Sequence, residues 1–203
     1  MSTYEFTTPV SDEDIKKLKI GDVIFLSGTI VTGRDDVHHR VVLQDKEAPL
    51  DLKGKAIFHA GPIMRKNEDG SYKVVSVGPT TSMRMESCEA EFLKKTGVKI
   101  IIGKGGMGPK TTKGCVDNNC VHTIFPGGCA VLGAEEVKEV SGVEWLDLGM
   151  PEAMWILKVE KFGPLIVSID SEGNNLIDDN KKLFNERKLP IIDEISAKLD
   201  FLD

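Results

Sequence analysis

The sequence predicts a mixed α/β domain, layered, with its binding loops at the ends of strands. Three observations predict it. Short β-branched runs alternate with helical patterns through the middle of the chain, while the flanks read as a strand meander. Three strand-like runs end in a charged residue set among glycines, hydroxyls or small residues. These are Thr32-Gly33-Arg34-Asp35-Asp36-Val37-His38, Gly78-Pro79-Thr80-Thr81-Ser82-Met83-Arg84 and Gly103-Lys104-Gly105-Gly106-Met107-Gly108. In layered α/β proteins such strand ends are where ligand-binding groups collect.

Ser11, followed by Asp12, Glu13 and Asp14, is a helix-start signal for a short first helix. Val23 to Val31 is rich in β-branched residues and reads as one or two strands. From Val37 to Glu47 the pattern is helical, ending before Pro49. Ala56–Ala60 is a short strand, and Asn67-Glu68-Asp69-Gly70 turns into the strand Tyr72–Val77. The clearest helix spans Ser82 to Thr96, where Met83, Glu86, Ala90 and Leu93 fall near one face and Gly97 supplies the stop. Val98–Ile102 reads as a buried strand. A helix over Thr111–Asn118 precedes the strand Thr123–Phe125 and the turn Pro126-Gly127-Gly128. Strands at Trp155–Val159 and Leu165–Ile169, a turn at Ser171–Asn174 and a polar helical tail over 177–203 complete the chain.

A length of 203 residues predicts one domain, 1–203, with a single substantial core. The 40% hydrophobic and 29% charged content places it in the globular class. A net charge of -6 argues against nucleic acid as a partner, because phosphate contacts need a basic face. No run approaches the roughly 20 apolar residues that span a bilayer. The N-terminus lacks the basic and apolar regions of a signal peptide, so the expected location is the cytoplasm.

The glycine loop after Ile102 superficially resembles a phosphate loop. Pro109, however, separates Gly108 from Lys110 and removes an amide where a phosphate cradle needs one. A solvated turn and an anion-contacting Lys104 both remain open. Hydroxyls at Thr80, Thr81 and Ser82 are expected as helix caps, at least in part. Arg84, in the first turn of that helix, opposes the dipole, which invites a role in binding. Asp35 and Asp36 are placed to pair with Arg34 and hold its fork for a carboxylate. Together, two guanidinium groups and an ammonium would suit a small dianion.

Cys115, Cys120, Cys129 and the nearby His122 have loose spacing, not the close pairing of strong metal sites, so no metal is expected on this chain. Cys88 reads as core.

Several segments, taken in order, resemble the β subunit of two-subunit class I fumarases and L(+)-tartrate dehydratases. In single-chain class I fumarases the equivalent region is the C-terminal domain. The resemblance runs roughly from Gly21 to Gly173. It rests on Arg34-Asp35-x-x-His38, Gly61-Pro62, Gly78-Pro79-Thr80-Thr81-x-x-Arg84-Met85, Gly103-Lys104-Gly105-Gly106-Met107, Pro126-Gly127-Gly128-Cys129 and Glu152-Ala153-Met154-Trp155.

That resemblance implies a swivelling β/β/α domain and a hydro-lyase interconverting fumarate and L-malate, with L(+)-tartrate as the alternative substrate. It implies that Arg34, Arg84 and Lys104 bind substrate carboxylates, that Thr80 is the base, and that Asp35 and His38 support them. The [4Fe-4S] cluster would belong to a partner α subunit, leaving this chain inactive alone, in an α2β2 assembly or with a β–β contact. Ser82-Met83 stands where an alanine–glycine pair is frequent, and His39 where lysine is frequent. A non-catalytic anion-binding or interaction module is the reading outside the enzyme class.

Overall fold

The computed structural model describes residues 1–199, so residues 200–203 of the expected tail lie outside the described residues. The chain runs β1 (Thr3–Thr7), α1 (Asp12–Lys17), β2 (Val23–Thr32), α2 (Asp35–Val42), β3 (Ala56–Phe58), β4 (Ile63–Lys66) and β5 (Tyr72–Ser76). A 3₁₀ turn at Ser82–Met85 leads to α3 (Glu89–Thr96), β6 (Ile100–Gly103), α4 (Pro109–Asn118), β7 (Val121–Ile124) and α5 (Ala130–Glu135). β8 (Val137–Glu144), a 3₁₀ turn at Leu146–Leu148, β9 (Met154–Ile169) and α6 (Leu176–Ser196) follow.

β2, β3, β6 and β7 lie side by side and parallel, in chain order. β9 pairs antiparallel with both β7 and β2, so the sheet closes on itself. β1 extends it beside β2, and β8 beside β9. The two strands expected near the C-terminus are one. β9 bends at Lys161, whose φ is 52°, yet β2 pairs along both of its halves.

The two-residue period of the strands sorts the core into two layers. Ala56, Phe58, Ile100, Ile102, Leu157, Phe162 and Leu165 fill the space enclosed by the sheet. Ile57 and Ile101 point the other way, under Val37, Val41, Phe92, Leu93 and Cys115 of the helices. Strands buried on both faces read as continuous apolar runs, which is why Ile100-Ile101-Ile102 shows no alternation. Two walls of sheet and one layer of helices give the β/β/α layering.

Local chemistry explains the boundaries. Ser11 caps α1 as expected, its Oγ accepting the Asp14 N–H at 3.2 Å. α2 ends at Val42 instead of Glu47, and the chain then turns through Asp45 at φ 54°. The helix expected over Ser82–Thr96 is interrupted after Met85 and resumes at Glu89. Pro109 occupies the first turn of α4, where its missing N–H costs nothing. β1, β4, α5 and β8 carry weaker periodicity and add to the expected elements. Asn175 caps α6 by accepting the N–H groups of Ile177 and Asp178. Phe184, Ile191 and Ile195 on that helix are exposed. No described helix is long and apolar enough to cross a membrane.

Candidate functional site

Four parallel strands present their carboxyl ends at one rim. β2 delivers Gly33-Arg34, β3 delivers His59 to Gly61, β6 delivers Lys104, and β7 delivers the Pro126-Gly127-Gly128 turn. The Gly78–Arg84 segment is stitched into this rim by bridges between Ala60 and Pro79 and between Thr81 and Lys104. The three charged segments thus come together.

The pairing differs from the expected one. Asp35 holds Arg84 and not its neighbour Arg34: the Arg84 Nε donates to Oδ1 at 3.1 Å, and Nη2 lies 2.6 Å from Oδ2. Arg34 instead pairs with Glu152, Nη2 to Oε1 at 3.0 Å, while the other Glu152 oxygen accepts the Asp36 N–H at 3.2 Å. The reason is topological, because the start of α2 faces both the 3₁₀ turn and the entry to β9. Gly61 lets Arg34 lie against the backbone: a Cβ there would sit 2.4 Å from Nη1.

Thr80 donates its N–H to the His59 carbonyl at 2.6 Å, and its Oγ1 accepts from Arg84 Nη1 at 3.5 Å. A guanidinium there favours the negative form of a hydroxyl. Lys104 is fixed through its backbone. Its N–H donates to Ser82 Oγ at 3.2 Å, and its carbonyl accepts the Ser82 N–H at 3.1 Å. Its stem passes over Gly127, and it forms no ion pair among the described residues. Ser82 is therefore not a helix cap.

Beneath these loops lies a buried cluster. His38 donates Nδ1–H to the Arg34 carbonyl at 2.7 Å. Its Nε2 is 3.1 Å from Glu89 Oε2, and His59 Nε2 is 3.2 Å from the same oxygen. All three side chains are at most 1% exposed. Burial opposes charge on His38, but the Glu89 carboxylate outweighs it and raises the pKa. Burial wins at His59 and lowers its pKa. Burial would raise Glu89, yet the two imidazoles hold it well below the usual carboxylate range.

The cysteines do not fit an iron–sulfur cluster. Cys88, Cys115 and Cys120 are buried thiols, and Cys129 stands apart at the start of α5. A hydrogen bond with Cys120 and burial push the Cys115 thiol well above its ordinary value. No grouping of three metal-type side chains among the described residues includes a cysteine.

Sequence reasoning missed His59, Glu89, Glu152 and the site role of Ser82. A signal for Glu89 did exist. It shares an i, i+3, i+4 stripe with the buried Phe92 and Leu93, which places a carboxylate on an apolar face. Glu152 meets Arg34 across 118 positions of chain, and nothing local marks that contact.

Comparison with known proteins places this chain among the hydro-lyase subunits of the class I fumarase and tartrate dehydratase type. The chain belongs to the family described as Fumarase C-terminus, which matches residues 3–180. It is 57% identical over 196 residues to L(+)-tartrate dehydratase subunit beta of Escherichia coli K12, a match covering 97% of each chain. A putative L(+)-tartrate dehydratase subunit beta of Methanocaldococcus jannaschii is 47% identical over 87% of this chain and 93% of its own. A putative class I fumarate hydratase of Geobacillus stearothermophilus is 43% identical over 86% of this chain, a match that spans 33% of that longer protein. The chain is thus a β-type subunit of such a hydro-lyase, and the name its relatives carry implies a partner α subunit.

Proposed function

We propose that this β subunit supplies the dicarboxylate-binding half of an enzyme that reversibly removes water from a four-carbon 2-hydroxydicarboxylate. The observation that carries the reading is the meeting of Arg34, Arg84, Lys104 and Thr80, from three loops, at one strand-end rim. The cations bind the two carboxylates and fix the diacid in reacting geometry. They also stabilise the negative charge that grows on the carboxylate beside the carbon losing its proton. Thr80, as alkoxide favoured by Arg84, takes that proton. The electron pair of the C–H bond becomes the double bond as the neighbouring C–O bond breaks. The departing hydroxide would be accepted by the Lewis-acid iron that a cluster on the α subunit would supply, then released as water on protonation.

We assign the [4Fe-4S] cluster to the partner α subunit, since three of the four thiols are buried and no group of three metal-type side chains among the described residues includes a cysteine. The rim supports a shared site. The side chain of Arg84 is 48% exposed and Lys104 is exposed, whereas carbanion-like chemistry needs water kept out. An α2β2 assembly in the cytoplasm is the arrangement we propose.

The 57% full-length identity favours L(+)-tartrate as substrate. The L-malate–fumarate pair is the second reading, supported by the fumarate hydratase relative and the motif pattern. Anaerobic mixing of this chain with its α partner should give turnover that neither has alone, and kcat/KM for L(+)-tartrate against L-malate decides the substrate. Turnover of neither diacid, with calorimetric binding of nucleotides instead, would make the chain an anion-binding module.

A further inference from the structure

We propose that Glu89 is the positioning residue of this site: one buried carboxylate oxygen, held between His38 and His59, ties together the loops that carry Arg34, Thr80 and Lys104. The inference deepens the functional reading above and rests on it for its kinetic arm only.

The connections can be followed atom by atom. On one side, Glu89 Oε2 meets His38 Nε2, and His38 Nδ1 holds the Arg34 carbonyl. On the other side, the same oxygen meets His59 Nε2, and His59 Nδ1 lies 3.0 Å from Ser82 Oγ. Ser82 Oγ in turn accepts the N–H of Lys104, and the His59 carbonyl accepts the N–H of Thr80. Three loops distant in sequence therefore share one anchor in the helix layer. None of its atoms belongs to a group that binds the diacid.

The donors and acceptors fix the protons. A carbonyl can only accept, so His38 Nδ1 carries a proton. Its Nε2 then faces a carboxylate, and a bare lone pair there would be repelled. His38 is consequently an imidazolium opposite ionised Glu89. His59 remains neutral, with Nε2–H toward Glu89 and Nδ1 accepting from the Ser82 hydroxyl. Asp35 adds to the positive preference of His38, while His38 itself disfavours a second charge on His59. His122 is neutral and the remaining titratable ring near the cluster. The 3.1 Å contact to His38 is an ion contact, and the 3.2 Å contact sets the neutral His59 N–H against the same oxygen; neither is an aligned hydrogen bond. A charge at this depth survives only opposite its counter-charge.

Nitrogen-15 NMR of the full chain tests the proton inventory without any assumption about substrate. At pH 7 the unsubstituted protein should show His38 doubly protonated, and Glu89→Gln should return it to a single ring proton. A neutral His38 in the unsubstituted protein would overturn the proposal. So would a stoichiometric divalent metal, found by elemental analysis and lost in Glu89→Gln. In the reconstituted complex, Glu89→Gln should lower kcat/KM for the diacid by about 100-fold, the scale of a misplaced clamp. Glu89→Asp, which keeps the charge, should recover part of it. Unchanged kinetics with a neutral His38 in Glu89→Gln would also overturn it, whereas an inactive unsubstituted complex would count against the enzyme reading instead.

Discussion

Arg84 grips Asp35 through two nitrogens, 49 positions away in the chain, and in doing so joins the 3₁₀ turn to the start of α2. The same guanidinium keeps Nη1 for the Thr80 hydroxyl. Asp35 thus aims a cation it does not need for folding. Replacing it by asparagine should cost about 1 kcal/mol or less in stability, because the arginine is half exposed. In the reconstituted complex, however, KM for the diacid should rise by about tenfold, the scale of one weakened charge-assisted contact. Steady-state kinetics beside a urea melt would separate the two effects.

Gly61 is required by Arg34. An alanine there would place its Cβ 2.4 Å from Nη1 and 2.8 Å from the Pro151 carbonyl. The guanidinium is the part able to move, so Gly61→Ala should displace it from Glu152. We expect kcat/KM to fall by about 100-fold. The accompanying stability loss should be about 1–3 kcal/mol, as for other overpacked sites. Wild-type kinetics in this variant would remove Arg34 from the carboxylate clamp.

Glu86 serves structure and not substrate. Its oxygens accept the N–H groups of Gly108 and Lys110 at 2.8 and 2.9 Å and the Thr111 hydroxyl at 2.6 Å, which closes the open end of α4. Glu86→Ala should cost about 1–2 kcal/mol, the worth of a helix cap, read from the urea midpoint of the isolated chain. A loss well below that range would mean that water caps the helix as well.

Acid should unfold this protein through its buried histidines. Burial pushes His122 down to about 3, with His59 adding in the same direction. Unfolded, its pKa returns to about 6.5, so the unfolded state binds the extra proton first. Stability from this group is complete above about pH 6.5 and falls as the pH drops toward 3, by about 2 kcal/mol between pH 6.5 and pH 5. Glu89 adds a later loss below the ordinary carboxylate range, since its folded pKa is lowered. His38 runs the other way: its raised pKa stabilises at low pH and fades as pH rises through the folded value. Urea titrations at pH 7 and pH 5 should show the slope, and His122→Asn should flatten it.

The parts legible in the sequence share a physical cause. Val98–Ile102 announces a buried strand because both of its faces are covered, and Gly97 marks a helix stop through its left-handed φ of 69°. Arg34, Arg84 and Lys104 stand out because each follows an apolar run among glycines, hydroxyls or small residues, while the roles given to them and to Thr80 come from the family resemblance. What was hidden is the pairing. Asp35 chooses Arg84 over the adjacent Arg34, and Glu152 reaches Arg34 from the entry to β9, contacts set by the closure of the sheet and not by local pattern. The break between the 3₁₀ turn and α3 was hidden for the same reason. Ser82 and Glu89 turn inward to partners remote in the chain, Ser82 to His59 and Lys104 and Glu89 to His38 and His59, which no local spacing names.

In the proposed mechanism Arg84 and Lys104 hold the diacid in a site shared with the α subunit. The measurement that tests this most directly is kcat/KM of the anaerobically reconstituted complex carrying Arg84→Ala or Lys104→Ala, with Lys94→Ala on the outer face of α3 as the control. Each site variant should lose about 100-fold or more, the usual scale for truncating one member of a desolvated charge pair, while the control keeps full activity. Full activity in either site variant would contradict the account.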